Sequence, residues 1–342
     1  MATMDIFNDD AFSMVSLTGA INKQPYLPSF LGDLGLFNVK RVRTENVAIE
    51  DKNGTLSLIR TSERGTPIEE ASPEKRNIRD FRTSRIAKGS TIKAATIQNI
   101  RAFGSELELK AVETEVMDHE VGIVRDVNLT WENMRLGAVQ GIVTDADAST
   151  IYNWFTEWGV AQPTEVDWDL DNASPASGAV RQLCNSTTRT AMRALGGLWI
   201  PGRSYLLALC GDNFFDNITQ HPEVRQTFLN TQEAADLRDN HQAFSAFRYG
   251  GITWVNYRGT DDNSTVAINT DKVKFVPIGV PGLFEVAFSP SEALPYTNTP
   301  GLELYSMMVY DKDRQFWVRP EVYSYPLFYC TRPAALLRGK RT

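Results

Sequence analysis

Apolar residues recur at Met117, Val121, Val124, Val127, Trp131, Met134 and Ala138, in steps of three and four that keep one stripe on a 3.6-residue helix. No proline interrupts the stretch from Ser105 to Gln140. Ser105-Glu106-Leu107-Glu108 has the form of a capping box: the Ser105 hydroxyl accepts from the Glu108 N–H, and the Glu108 carboxylate from the Ser105 N–H. Gly141 supplies the stop. About 35 residues at 1.5 Å rise give a rod of roughly 50 Å, some three times the mean globular helix. Such a rod suits the shaping of a subunit better than the holding of a small molecule.

The chain before the rod is built differently. Residues 1–45 read as an extended arm, because Pro25-Tyr26-Leu27-Pro28 forbids a continuous helix there. Leu31, Leu34, Leu36 and Phe37 give the arm an apolar anchor. Val47-Ala48-Ile49 and Leu56-Ser57-Leu58-Ile59 flank Asn53-Gly54, the pattern of a two-residue hairpin. Residues 60–100 carry Gly65-Thr66-Pro67, Ser72-Pro73 and Lys88-Gly89-Ser90 among dense mixed charge. Arg76, Arg79, Arg82, Arg85 and Lys88 recur there in steps of three, with Ile78, Phe81 and Ile86 between them. That step suits neither one strand face nor one helix face. The segment therefore reads as a long, mostly extended excursion with charge on both sides, of a length that inside a compact domain points to a function.

After the rod, two apolar runs, Ile142-Val143-Thr144 and Ile151-Tyr152-Asn153-Trp154-Phe155, flank the polar Asp145–Thr150 and predict a hairpin. Residues 160–290 read as an α/β or α+β unit. Ala179–Leu195 is a helix closed by Gly196-Gly197, Tyr205–Cys210 a buried strand, and Asn213–Ile218 a short helix. Phe247–Tyr257 and Val273–Val280 read as strands. Tyr305–Tyr329 is strand-rich and aromatic, and a basic tail follows at Arg338-Gly339-Lys340-Arg341.

A length of 342 residues allows two or three domains and a substantial core. The net charge of −7 argues against a protein dedicated to coating DNA, without excluding a local basic patch. Cys184, Cys210 and Cys330 are odd in number and far apart, which fits reduced structural thiols better than a disulfide framework or a zinc site. No apolar run approaches the ~20 residues of a membrane span. The N-terminus, with Asp5, Asp9 and Asp10, lacks the form of a signal peptide. The N-x-[ST] sequons at Asn128, Asn185, Asn217 and Asn263 therefore read as chance matches.

Catalytic patterns are missing. There is no phosphate-binding Gly-rich loop, no dinucleotide fingerprint and no nucleophile elbow. His119, His221 and His241 sit far apart, and His119 reads as structural or surface. Asp167-Trp168-Asp169-Leu170-Asp171-Asn172 starts like a calcium loop, but Asn172 stands at the glycine position and Gly178 where a bidentate Glu is needed, so it reads as a turn. Asp145 and Asp147 read as turn residues, since no base or metal ligand accompanies them. The Arg76–Lys88 series reads equally as a solvated face and as a protein–protein interface. Asp80 with Glu69, Glu70 and Glu74 dilutes the field that nucleic acid would reward.

Several stretches, in order, resemble the phage lambda major capsid protein family, also called the major capsid protein E family. Leu31-Gly32-Asp33-Leu34-Gly35-Leu36-Phe37 resembles its L-G-x-L-G-L-F opening. Gly54–Ile59 with Arg64-Gly65 is similar to its hairpin and following arm, and Arg101–Glu106 to its helix start. Arg135-Leu136-Gly137-Ala138, then Gly141-Ile142-Val143 and Asp145-Ala146-Asp147, resemble its helix exit. Ala208–Asp212 with Phe214-Phe215, His221–Val224, Tyr249–Trp254 and Tyr257-Arg258-Gly259 are similar to its central domain. Asn298–Leu302 and Cys330-Thr331-Arg332-Pro333 complete a match over about residues 30–339.

The resemblance implies an α+β chain with the shell-protein fold of tailed phages and herpesviruses. Its parts would be an N-terminal arm (1–45), an extended β-hairpin loop (46–100), a peripheral domain with a long spine helix (101–159 and 291–342) and an axial domain (160–290). It implies a major capsid protein whose copies form pentamers and hexamers that close an icosahedral head around double-stranded DNA. That DNA would be touched only non-specifically, at the inner surface. Assembly would occur in the host cytoplasm with a scaffolding protein, a portal and a decoration protein, with no cofactor and no membrane. Arg76, Arg79, Asp80, Arg82, Arg85 and Lys88 are then expected at a subunit interface, and the shell is expected to expand on maturation. A ring- or tube-forming tail or adaptor protein is the alternative, and a hydrolase using the Asp145, Asp147 or Asp167–Asp171 carboxylates is a second.

Overall fold

The computed structural model describes residues 30–52, 76–94, 105–172, 174–229, 246–260 and 266–342. In chain order the elements are α1 (Phe30–Asp33), β1 (Asn38–Arg41), β2 (Asn46–Lys52), β3 (Arg76–Arg82), β4 (Ile86–Gly89), β5 (Ile92–Lys93), α2 (Ser105–Gln140), β6 (Ile142–Thr144), β7 (Thr150–Asn153), α3 (Trp154–Trp158) and β8 (Val166–Asp167). There follow α4 (Ala179–Leu195), β9 (Tyr205–Cys210), α5 (Asp212–Gln220), α6 (Pro222–Leu229), β10 (Phe247–Tyr249), β11 (Ile252–Asn256), β12 (Lys272–Ile278), β13 (Phe284–Phe288), β14 (Tyr305–Tyr310), β15 (Trp317–Ser324), β16 (Pro326–Cys330) and β17 (Leu337–Lys340).

The rod is present as α2, 36 residues long. It ends where expected, at Gly141, whose φ of 84° is left-handed. A Cβ there would lie 2.4 Å from the Phe155 ring, so glycine meets both a backbone and a packing demand. The capping box at Ser105 lies outside the described side chains. The buried stripe differs from the predicted one at its N-terminal half. Val124, Val127, Trp131, Met134 and Ala138 are buried, but Met117 is 37% exposed and Val121 only half-buried. The inward positions before Val127 are Val116, Glu120, Ile123 and Val124. A glutamate at a core position breaks the apolar pattern and shifted the expected face by one residue.

Two sheets flank α2. Its N-terminal half faces the four-stranded sheet β14-β15-β4, to which β5 adds along β15. Its C-terminal half faces the three-stranded sheet β1-β13-β16, where Trp131 meets Phe288 with ring centroids 5.6 Å apart. The arm anchor works as expected at Leu31, which is fully buried, and at Phe37, which packs against Phe284 and Phe328; Leu34 is exposed instead.

The six-stranded sheet β10-β11-β9-β12-β17-β8 forms a second layer. Its central strand β9 reads Tyr-Leu-Leu-Ala-Leu-Cys because both faces are covered. Leu206, Ala208 and Cys210 join a core with Trp168, Phe214, Trp254 and Phe275. Leu207 and Leu209 point the other way, into a core shared with Leu31, Leu136 and Val139 at the end of α2. That second core joins the two layers.

Three expectations need correction, and a fourth lies outside the described residues. Phe247–Tyr257 is a hairpin of β10 and β11, turned by Gly250 and Gly251 at positive φ, not one strand. Trp154 and Phe155 leave the β6–β7 hairpin for α3, because the Asn153 side chain accepts from the Phe155 and Thr156 N–H groups and caps a helix. The last strand, β17, does not return to the helix with its neighbours. It pairs with β12 in the six-stranded sheet, while β13 leaves that unit for β1 and β16. Val47–Ile49 pairs with Arg79–Phe81, and the Asn53-Gly54 turn and the Leu56–Ile59 strand expected opposite it lie outside the described residues.

Gly141 and Gly159 separate backbone strain from packing strain. Both have positive φ, but around Gly159 a Cβ would meet nothing within 4 Å. Gly159→Ala should cost about 1 kcal/mol and Gly141→Ala about 3 kcal/mol, because the second also overpacks against Phe155. Urea denaturation of the unassembled subunit measures both.

Candidate assembly surface

The sequence-predicted charged series sits on the β2–β3 ribbon and the segment after it. The ribbon pairs antiparallel from Asn46↔Arg82 to Lys52↔Arg76. Period-two alternation puts Val47, Ile49, Arg79 and Phe81 on one face. Val47, Ile49 and Phe81 are buried there, and Phe81 meets Trp154 edge-on at 5.2 Å. Ile78, Asp80 and Arg82 lie on the outer face, where Ile78 is 68% exposed. Tyr152 pins the root: its hydroxyl donates to the Arg82 carbonyl at 2.8 Å and accepts from the Arg82 N–H at 3.1 Å.

The six expected interface residues do not form one patch. Arg79 lies over the Trp158 ring at 5.7 Å, on the inner face. Arg82 pairs with Glu45 at 3.1 Å, and Arg85 with Glu292 at 3.1 Å while lying over Tyr323. Lys88 pairs with Asp126 of α2. Asp80 is exposed, and the Arg76 side chain lies outside the described ones. Arg82, Arg85 and Lys88 are thus partnered within the chain, by exposed pairs of the kind that contribute about 0–1 kcal/mol each and serve register more than stability. The exposed apolar residues Leu294 (90%) and Phe316 (61%) went unnoticed in the sequence. A single apolar residue in a polar turn carries no periodic signal for its direction.

Two buried glutamates of α2 carry more of the structure. Glu132 Oε1 accepts from the Leu31 N–H at 2.9 Å and from the Tyr257 hydroxyl at 3.1 Å. Arg135 Nη1 stands 3.6 Å from its Oε2, a charge contact too long for a hydrogen bond. One carboxylate therefore joins the arm, the rod and the six-stranded sheet. Burial, and then the Glu132 carboxylate, push the Tyr257 phenol well above its usual range. Glu120 is fully buried; its Oε1 accepts from Ser306 at 2.8 Å, and its Oε2 has no partner. Burial raises its pKa above the usual carboxylate range, and the Ser306 bond offsets this only in part.

The other candidate groups fall into structural roles. Asp145 accepts from the Ala146 N–H and Asp147 from the Ser149 N–H, as turn residues do. Asp167 accepts from the Asp169 N–H and pairs with Lys340. His119 bonds Ser90, and His221 Nδ1 accepts from the Glu223 N–H at the start of α6. His241 lies outside the described residues. All three cysteines are free and buried, and burial pushes the Cys184 and Cys330 thiols up to about 12. Among the described residues no group of His, Cys, Asp and Glu could hold a metal ion, and no helix is long and apolar enough to cross a membrane. An open groove of ~790 Å³ runs beside α2 between Lys88 and Ala267, lined by Asp126, Leu129, Asn133 and Gly137 among others, without a nucleophile–base pair.

This arrangement of long helix, flanking sheets and edge ribbon is that of a tailed-phage shell protein. A capsid protein of a prophage of E. coli CFT073 shares the fold, with a TM-score of 0.56 at 12% identity, covering 96% of this chain and 99% of that one. The profile of the phage major capsid protein E family matches residues 13–341, and the chain belongs to that family. The major capsid protein of Salmonella phage Felix O1 (isolate Felix O1-VT1) is 26% identical over 355 residues, covering 95% of both chains. That of Pseudomonas phage KPP10 is 23% identical over 329 residues, covering 89% of this chain and 90% of its own. The protein is a major capsid protein of a phage, a component of the virion head that assembles with copies of itself.

Glu132→Ala should destabilise the unassembled subunit by about 3 kcal/mol, since it strands Arg135, Tyr257 and the Leu31 N–H; denaturant midpoints read this. For Glu120 the consequence depends on pH. Its folded pKa is raised, so its contribution is full below the unfolded value and is lost as pH rises through the folded one. Glu120→Gln should therefore gain on the wild type progressively with rising pH in a series of urea denaturations. A pH-independent difference between the two proteins would contradict this.

Proposed function

We propose that copies of this chain form pentamers and hexamers that close an icosahedral head around double-stranded DNA. In this reading the segment before Asn46 is an arm, and residues 46–100 are an extended loop lying on a neighbouring copy. The α2 layer is the peripheral domain, and the six-stranded sheet is the axial domain. The observation that carries the reading is the β2–β3 ribbon. Its inner face is cemented to the body through Phe81, while its outer face leaves Ile78, Asp80 and Arg82 unburied by the subunit itself. An apolar residue 68% exposed on a strand of mixed charge is what an interface between copies would cover. Arg79, Arg85 and Lys88 then brace the loop, and Asp80 and Arg82 set its register on the neighbour.

A scaffolding protein, a portal and a decoration protein complete assembly in the host cytoplasm, and DNA meets the inner wall without sequence preference. The subunit does no chemistry; its work is geometric, in contacts that close.

Electron microscopy of the full chain, expressed with and without its scaffold, tests the reading. Closed shells or five- and six-membered rings are expected. Open tubes without shells would replace it with the tail or adaptor alternative. Ile78→Asp combined with Arg82→Glu should abolish shells while leaving the subunit's unfolding free energy within about 0.5 kcal/mol of wild type, because both side chains are exposed. Normal particles from that variant would remove the ribbon from the interface.

A further inference from the structure

The six-stranded sheet is electrically polar along its strands. From Ala173 to Gly211 the chain holds Arg181, Arg189, Arg193 and Arg203 and no Asp or Glu, within a protein of net charge −7. Arg203 lies two residues before β9, and Arg248 lies on β10 opposite Thr253, near the start of β11. β9 and β11 run parallel, so both arginines sit at the N-terminal end of these strands. They line one open groove of ~390 Å³ with Trp199, Tyr205 and Thr188. Both guanidinium groups are exposed, and neither has an acidic partner among the described residues. The Thr188 Oγ1 beside the same groove is shielded from solvent and has no hydrogen-bond partner among the described residues.

The opposite end of the sheet is acidic. β12 runs antiparallel to β9 and to β17, and β8 runs parallel to β17, so the end of β8, the end of β9 and the start of β12 coincide. Asp167 ends β8 and Asp169 and Asp171 follow it, Asp212 opens α5 after β9 with Asp216 one turn further on, and Asp271 precedes β12. Lys340 and Arg341 answer Asp167 and Asp271. Asp171 and Asp216 are exposed and have no ion pair among the described residues. Six residues of β9 separate the two ends, about 20 Å.

We infer that the Arg203–Arg248 groove is the socket for the acidic end of a second copy, Asp171 and Asp216 first, in a head-to-tail contact that builds a ring. A ring needs two unlike surfaces on each subunit, and one sheet here carries both. A neighbouring carboxylate would find two exposed arginine donors. Arginine is suited to such recognition because its planar fork binds carboxylates bidentately. The inference rests on the ring-forming reading above and names the surface that forms the ring.

Charge reversal tests it on the full chain, with rings and shells counted by electron microscopy and native mass spectrometry. Circular dichroism checks that each exposed substitution leaves the fold intact. R203D/R248D and D171R/D216R should each yield at least tenfold fewer rings. The quadruple variant swaps both ends, restores opposite charge at every contact, and should return rings and closed shells to within threefold of wild type. Mixing the two double variants should restore six-membered rings only, because alternation around five members forces one like-charged contact. The milder R203Q/R248Q should form weaker rings that lose the salt sensitivity expected of the wild type. Double variants that assemble like wild type overturn the inference while the shell reading stands, and a loss of packaged DNA alone would reassign the groove to phosphate. A quadruple variant as defective as the doubles overturns it too. A wild type that forms no rings ends both readings.

Discussion

Burial of one stripe of α2 is the constraint on which the rest of the structure depends. Val116, Ile123, Val127, Trp131 and Met134 are each less than 5% exposed. Burying side chains of this size stabilises by about 1.5–3 kcal/mol apiece, against about 0–1 for an exposed ion pair. Hydrophobic contact with α2 therefore decides where β13, β16 and β15 lie, and the charged pairs adjust to that frame. The two polar intruders on the stripe, Glu120 and Glu132, are tolerated unequally. Glu132 has two donors, the Leu31 N–H and the Tyr257 hydroxyl, with the Arg135 charge beside it. Glu120 has Ser306 alone, which leaves it the weak point of the stripe as pH rises.

The same hierarchy accounts for the division of labour in a shell subunit. A rigid rod between two sheets holds the molecule's outline. The β2–β3 ribbon and α1 are held to it by aromatic packing and by single well-placed groups, Tyr152 for the ribbon and Glu132 for α1. The ribbon's outward face contributes little to the subunit's own stability, and in the reading proposed above it meets other copies, where many modest areas sum to a closed particle.

Much of the fold was legible. The rod, its glycine stop, α4 closed by Gly196 and the apolar β9 all follow from period, cap and composition, which are local properties. What escaped has a common cause. A strand pattern says which residues share a face but not which strand lies alongside, so the pairing of Val47–Ile49 with Arg79–Phe81 was not foreseen and the destination of β17 was misjudged. Glu120 in the stripe concealed the true inward face, because a pattern reading treats a carboxylate as solvent-facing. The charged series was visible as a series. That Arg82, Arg85 and Lys88 find Glu45, Glu292 and Asp126 within the same chain was not, since those acids lie far away in sequence.

The sequence by itself determined the elements, the family and the geometric character of the function, because hydrophobic periodicity, turn chemistry and the order of matched segments are all written along one chain. Tertiary structure alone decided which strands pair, which charges are spent inside the subunit and which are left at its surface. It gathered Arg203 with Arg248 at one end of a sheet and Asp171 with Asp216 at the other. The physical reason is that strand register and ion pairing depend on distances across space, set only once the buried stripe of α2 has fixed the layers around it.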